Sequence, residues 1–339
     1  MTRSAGGIRA QSSEDATGAS EGATRASPVT GASPATEPAQ GGLSLITEPG
    51  PGDEPFVVLI DSARHTVRIA VYELEDRRVE QALADAAARG VRVMVLLDDG
   101  RYGAGRPSNL PAYSYLSAHH VIVSWAPTDF ALLHEKAIVI DRRVAAIMTM
   151  NLTPGYYSSS RDFAVLDRRP ADVAAIERVF DADLAGRQIA PGAGSGDLVW
   201  SPGAQKPIVA LIARARHSLE LENEEMDDPA ATIELCEDAR RGVRVRVVMT
   251  YQPAWRAAFA YLTGCGVLVR TYTATASLYI HAKLIRVDRR IVFLGSQNLS
   301  RQSLDYNREL GILTEDPEIV AGTGRAFNGD FTGAQPYLP

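Results

Sequence analysis

One pattern occurs twice in this chain, 147 residues apart, and it restricts the fold to an internally duplicated one. His134, Lys136, Asp141, Thr149 and Asn151 recur in register as His281, Lys283, Asp288, Ser296 and Asn298. Each copy reads H-x-K, four residues, D, six residues, then Met148-Thr149-Met150-Asn151 or Gly295-Ser296-Gln297-Asn298. The register continues downstream, where Arg161-Asp162 matches Arg308-Glu309. Upstream, Pro55, His65 and Gly90 match Pro207, His217 and Gly242 at an offset of 152. A repeat of this length is a domain and not a solenoid unit. The chain is therefore expected to be a fused pseudo-dimer, with halves at 43–192 and 193–339 behind a tail at 1–42.

The tail is set apart by composition. Residues 1–42 are almost all Ala, Ser, Thr, Gly, Pro and Glu, with only Ile8 and Val29 as larger aliphatics. Such a segment cannot bury enough apolar surface to offset its chain entropy, so it is expected to be disordered. It also lacks the apolar run of a secretory leader, and no stretch of eighteen apolar residues occurs anywhere in the chain. The expectation is a soluble protein. Its compartment stays open between the cell envelope or export, with a leader outside this sequence, and the cytoplasm.

Each half reads as the same series of elements. A helix (55–63, 207–215) is followed by a strand (66–73, 218–224) and a second helix (77–89, 230–241) that Gly90 or Gly242 stops. Next comes a strand (91–97, 243–250) whose arginines are placed on an exposed face. A shorter helix and strand (112–119 and 121–125; 254–262 and 267–271) lead to the motif. The run 134–140 alternates, so His134 and Lys136 project from one side of a strand. A turn at Asp141 or Asp288, a further strand (162–167, 309–314) and a closing helix (172–185, 317–331) complete each half. The fold class is α/β: two similar halves, each a mixed sheet flanked by helices, with a site between them.

The formal net charge of −6 argues against a general nucleic-acid binder, which needs a basic surface to neutralise phosphates. It leaves room for a local basic pocket. Cys236 and Cys265 form no C-x-x-C, and no His/Cys cluster has the spacing of a zinc site. Cys236 lies in a predicted helix and is read as a small buried apolar side chain, with a disulfide as the alternative.

These residues resemble the phospholipase D superfamily, whose signature is H-x-K-x4-D-x6-G-[ST]-x-N. The second copy fits in full; the first has Met148 where the family has Gly, which is expected to reshape the first half-site. The resemblance covers residue 43 to the C-terminus and implies a metal- and cofactor-free phosphodiesterase working through a phosphohistidine. The chemistry suits the residues, since one neutral imidazole can attack phosphorus while a protonated one serves the leaving oxygen. By resemblance His134 is the nucleophile and His281 the acid. Lys136, Lys283, Asn151 and Asn298 hold the phosphoryl oxygens, and Thr149 and Ser296 add hydroxyl donors. Asp162 and Glu309 match the acids that orient a catalytic imidazole, with ion pairs to Arg161 and Arg308 as the alternative. Asp141 and Asp288 are assigned to the turn. His65 and His217 are read as helix caps. Glu224 and Glu225, matching Tyr72 and Glu73, end a strand near the site.

The superfamily spans several phosphodiesters, and fold alone does not choose among them. The acidic charge and the largely uncharged segments 125–133 and 274–280 lean toward a lipid, with Phe130 and Tyr279 as candidate interfacial aromatics and packing of the strand that leads into the site as the alternative. The expected activity is a phospholipase D, hydrolysing the distal phosphodiester of a glycerophospholipid and capable of transphosphatidylation. A nuclease or other phosphodiesterase, and a weakly catalytic phosphate-binding protein, are the alternatives. The expected partner is a phospholipid at a membrane surface. Pairing of the halves gives one site per chain, so no protein partner is required and a monomer is expected.

Overall fold

The alternation of apolar residues in 66–71 and the unbroken apolar run 93–97 build central strands that are largely buried, and their repeats are buried likewise. In the computed structural model, which describes residues 42–100, 109–191, 194 and 196–338, the first half runs β1 (Leu43–Glu48), α1 (Glu54–Asp61), β2 (Thr66–Val71), α2 (Arg77–Ala88), β3 (Arg92–Leu97), α3 (Leu110–Ala118), β4 (Ile122–Trp125), β5 (Lys136–Ile140), β6 (Val144–Met148), α4 (Pro154–Ser159), β7 (Ser160–Asp167) and α5 (Pro170–Leu184). The second half repeats this order as β8 (Leu198–Ser201), α6 (Gln205–Ile212), β9 (Ser218–Glu222), α7 (Pro229–Arg240), β10 (Arg244–Thr250), α8 (Arg256–Gly264), β11 (Leu268–Tyr272), β12 (Tyr279–Ile280), β13 (Leu284–Val287), β14 (Ile291–Gly295), α9 (Arg301–Asp305), β15 (Glu309–Thr314), α10 (Pro317–Gly333) and β16 (Gln335–Pro336). The tail expected at 1–42 lies, but for Gly42, outside the described residues.

The two sheets have one strand order. The first is β1-β7-β6-β5-β2-β3-β4 and the second β8-β15-β14-β13-β9-β10-β11, extended by β16. Pairing is parallel among β2, β3 and β4 and among β9, β10 and β11, and antiparallel through the remaining strands of these orders. Each sheet buries one face under its own helices α1–α3 or α6–α8. The other faces share a single core, in which Val139, Ile147 and Phe163 of the first half meet Leu284, Leu294 and Leu310 of the second, flanked by α5 and α10. Gly90 and Gly242 follow their helices at φ +88° and +90°, the left-handed conformation that ends a helix at low cost.

Several sequence expectations need correction. The edge strands β1 and β8 were not anticipated, because a single edge strand in each half has little apolar alternation to mark it. The motif strand begins at Lys136, not His134, because the His134 N–H is donated to Arg308 O of the other half (2.9 Å). Arg246 is buried, paired with Glu220 and lying 4.9 Å from the ring centres of Phe327 and Phe331, where an exposed arginine was expected. Cys236 and Cys265 form a disulfide between α7 and the end of α8, with Cα atoms 5.4 Å apart. The α7 helix that buries Cys236 also brings it against the second cysteine, a contact that spacing alone does not reveal.

Candidate active site

The halves assemble the site by exchanging strands. Ahead of the first motif, Ala131 and His134 donate backbone N–H groups to Tyr306 O and Arg308 O, and Arg308 donates back to Leu132 O. Ahead of the second motif, β12 pairs in parallel with β7, and Ala282 donates to Arg161 O (2.8 Å). Each H-x-K is thereby laid beside the strand that carries the other half's acid. His134 Nδ1 lies 2.8 Å from Glu309 Oε2, and His281 Nδ1 lies 2.9 Å from Asp162 Oδ1. Both pairs are buried. A carboxylate on Nδ1 fixes the tautomer and leaves Nε2 for chemistry. The motif alone does not indicate that these pairs are crossed.

Arg161 and Arg308 take partners other than Asp162 and Glu309. Arg161 binds Asp330 in α10 (2.5 and 3.0 Å) and Arg308 binds Asp183 in α5 (2.8 and 3.0 Å). The acids are thus released to the histidines. Glu309 is further steadied by Ser303 Oγ (2.5 Å) and Asn307 Nδ2 (3.0 Å), and Asp162 by Thr149 Oγ1 (2.5 Å). Burial raises the Glu309 pKa, but His134 and Lys136 outweigh it and hold the carboxyl below its ordinary value. Burial pushes His134 down to about 4 against the pull of Glu309, so its imidazole is neutral at pH 7. Burial also lowers Lys136 to about 7.

The profile of the cardiolipin synthase, PLD-like domain matches residues 56–184 and again 208–331. The chain belongs to the phospholipase D superfamily. Cardiolipin synthase B of Escherichia coli (strain K12) is 25% identical over 284 residues, which cover 71% of this chain and 67% of that protein. Mitochondrial cardiolipin hydrolase of Xenopus tropicalis is 33% identical over 122 residues, 35% of this chain and 57% of that protein. Among solved structures, phosphatidylserine synthase of Haemophilus influenzae Rd KW20 superposes with a TM-score of 0.67 at 14% identity, covering 88% of each chain. Polyphosphate kinase of Porphyromonas gingivalis gives 0.64 at 16% identity; 84% of this chain is covered but only 46% of the kinase.

Within the superfamily signature, the structure separates the positions by role. Lys136 and Lys283 are fully buried and each donates to the carbonyl of its own histidine (2.6 and 2.7 Å), which aims the ammonium along the imidazole. Asn151 Nδ2 donates to Glu73 Oε2 (3.2 Å), and the Asn298 N–H donates to Ser303 Oγ. Bridges Leu74–Leu152 and Met226–Leu299 clip the residue after each asparagine to the neighbouring strand end. Thr149 and Ser296 are not free substrate donors as expected. Thr149 Oγ1 donates to Asp162 and accepts from Phe163 N, while Ser296 Oγ is exchanged with the Leu310 backbone. Asp141 and Asp288 reach beyond their turns: Asp141 accepts from the N–H groups of Arg64, His65 and Thr66, and Asp288 from those of Arg216, His217 and Ser218. Burial opposes ionisation of both, yet these donors hold their pKa values below the ordinary range. His65 and His217 therefore contribute their backbone here, with exposed side chains, in place of the expected helix cap.

Met148 leaves the site intact. It is completely buried in the helix-covered core, opposite Ala164, where the second half pairs Gly295 with Gly311. A Cβ on Gly295 would collide with Gly311, and one on Gly311 with the ring of Phe293. The first half has Ala146 in place of that ring and Met150 in place of the buried Gln297, so two thioethers fill the volume that the phenyl ring and the glutamine side chain fill in the repeat. The expected reshaping of the half-site does not occur.

The two poles differ at residues outside the signature. Tyr72 packs edge-on against His134 (5.1 Å between ring centres), with Lys136 5.3 Å from the Tyr72 ring centre. Its counterpart Glu224 lies 3.0 Å from Lys283 Nζ and 3.4 Å from His281 Nε2, and accepts from Tyr279 OH (3.0 Å). Burial raises the Glu224 pKa, and Lys283 and His281 overcome it and hold the carboxyl well below the usual range. Tyr156 lies 4.6 Å and Tyr279 6.3 Å from the His281 ring. Tyr279 thus stands at the site, while Phe130 is half-buried with the Arg308 guanidinium 4.1 Å from its ring centre. Sequence reasoning missed Tyr156, Ser303 and Asn307; the 147-residue offset aligns Tyr156 with Ser303 and could have flagged that pair.

Proposed function

We propose that this chain is a phospholipase D-type phosphodiesterase that acts on glycerophospholipids through a phosphohistidine. The observation that carries the reading is the crossed pair of buried carboxylate–histidine contacts, His134–Glu309 and His281–Asp162, which leaves two Nε2 atoms for opposite roles. His134, kept neutral by burial, attacks phosphorus: a P–N bond forms, the P–O bond to the alcohol breaks, and His281 gives its proton to the departing oxygen. In the second step water or an alcohol attacks, the P–N bond breaks, and His281 takes back a proton. Lys136, Lys283, Asn151 and Asn298 surround the phosphoryl oxygens with donors. The phospholipid names of the relatives support a lipid substrate. Among the described residues no helix is long and apolar enough to cross a membrane.

The test is incubation with EDTA, mixed phosphatidylcholine and phosphatidylglycerol vesicles, and ethanol. Phosphatidic acid together with phosphatidylethanol is the expected outcome. Robust turnover by His134→Ala or His281→Ala, or degradation of DNA or RNA with no lipid product, overturns the proposal.

A further inference from the structure

The repeat offers an internal control for what each pole of the site is built to hold. Structurally equivalent positions around the two histidines carry Tyr72, Leu132 and Ser303 at the His134 pole and Glu224, Tyr279 and Tyr156 at the His281 pole. Nothing in the signature demands this difference. The first set places no carboxylate on the histidine's reactive nitrogen, whereas the second places Glu224 Oε2 within 3.0 Å of Lys283 Nζ and 3.4 Å of His281 Nε2.

Those two nitrogens are the donors that a phosphoryl oxygen would take in the second half-site. Glu224 therefore stands where substrate charge must arrive. When a phosphate reaches Lys283 and His281, it takes both neighbours from a carboxylate that is only a quarter exposed. An unpaired, partly buried carboxylate is unfavourable. A substrate that brings its own cation restores the pairing, while one that brings only hydroxyl groups restores less of it and one with a second negative charge worsens it. The surroundings suit a cation. Glu73 is close enough to Lys136 and His281 for their charges to be felt, burial being the larger influence on its carboxyl. The rings of Tyr156 and Tyr279 complete the wall, and tyrosine faces attract ammonium groups.

We infer that the His281 pole is a subsite for an ammonium-bearing alcohol, with Glu224 as the residue that sets this specificity. The inference rests on the proposed function, because it assigns the alcohol of the scissile diester to the pole where His281 serves the leaving oxygen. A zwitterionic headgroup exchanges onto the Lys283–Glu224 pair: its phosphate takes Lys283 and its ammonium takes Glu224. Tyr279, donating to the other oxygen of Glu224, positions the carboxylate.

Binding measured apart from turnover tests this. In the full-length His134→Ala protein, glycerophosphocholine and glycerophosphoglycerol are titrated by calorimetry, alone and with Glu224→Gln or Glu224→Tyr added. The expected result is at least tenfold tighter binding of glycerophosphocholine, with the preference falling to within about twofold in both Glu224 variants. Equal affinity, preference for glycerophosphoglycerol, or binding of neither overturns the inference, as does a preference that survives both substitutions. The proposed function is judged separately, by phosphohistidine formed on the wild-type protein from a p-nitrophenyl phosphodiester, which carries no cation. Failure there with a headgroup preference present would remove the reaction and leave the subsite.

Discussion

Replacing Asp141 with alanine separates architecture from chemistry within the signature. Asp141 Oδ1 accepts from His65 N and Thr66 N at 2.7 Å each, and Oδ2 accepts from Arg64 N at 2.8 Å. Hydrogen bonds to a charged group contribute about 1.5–3 kcal/mol each when well shielded. Arg64 and His65 are exposed, so water can replace part of that, and about 1 kcal/mol per bond is the appropriate figure. Asp141 also sits at φ 50°, where alanine costs about another 1 kcal/mol. The sum is roughly 4 kcal/mol, which for a chain of this size corresponds to a melting temperature lower by roughly 6 °C. The pH dependence has a definite sign. The folded pKa of Asp141 is depressed, so its stabilisation is fully present above the unfolded carboxylate pKa of about 3.9 and is lost as pH falls through the lower folded value. Calorimetric melting at pH 7 and at successively lower pH, alongside turnover at a temperature where the variant is fully folded, measures both effects. Turnover per folded molecule should stay within about threefold. A wild-type melting curve combined with a hundredfold loss of turnover would refute the reasoning and make Asp141 a participant in the reaction.

The crossed acids should separate by step: Glu309→Gln lowers formation of phosphohistidine at His134 by about 10²–10⁴-fold, whereas Asp162→Asn slows alkyl diesters and largely spares p-nitrophenyl ones, whose leaving group needs no acid. Rapid-quench trapping with both substrates measures this, and identical profiles for the two variants would contradict the crossed pairing. The pH profile of kcat/KM should have its acid limb near pH 4, where His134 gains a proton, and its alkaline limb near pH 7, where Lys136 loses one. An acid limb near 6.5 would show that burial does not control the nucleophile. Met148→Ala should destabilise the fold by about 2–4 kcal/mol in urea unfolding while leaving turnover unchanged; a gain in turnover would mean that the side chain reaches the site.

The duplicated motif made the fold readable, because one alternating pattern seen twice constrains both register and partner. The sequence also marked His134, Lys136, His281 and Lys283 as a group, since an H-x-K strand places two donors on one side. What stayed hidden depends on contacts between distant segments. Neither Asp162 nor Glu309 carries a mark of which histidine it meets, and only the strand exchange at β12 and Leu133 decides that. Thr149 differs from its expected role for a related reason. A hydroxyl near a site serves substrate only if no buried neighbour claims it first, and Asp162 does. Met148 is the opposite case. Its effect is smaller than the motif suggests because Ala146 and Met150, two positions to either side of it, absorb the difference in volume.

The strand exchange also bears on what fusion makes available. Two identical halves swapping the same segments would form a site with a true dyad, and every substitution would appear at both poles at once. Such a site cannot tell its attacking imidazole from its departing one, and any carboxylate beside one would also crowd the other. Joining the halves in one chain lifts that degeneracy. Glu224 can stand at one pole while Tyr72 stands at the other, so the reaction coordinate acquires a direction that the symmetric scaffold lacks.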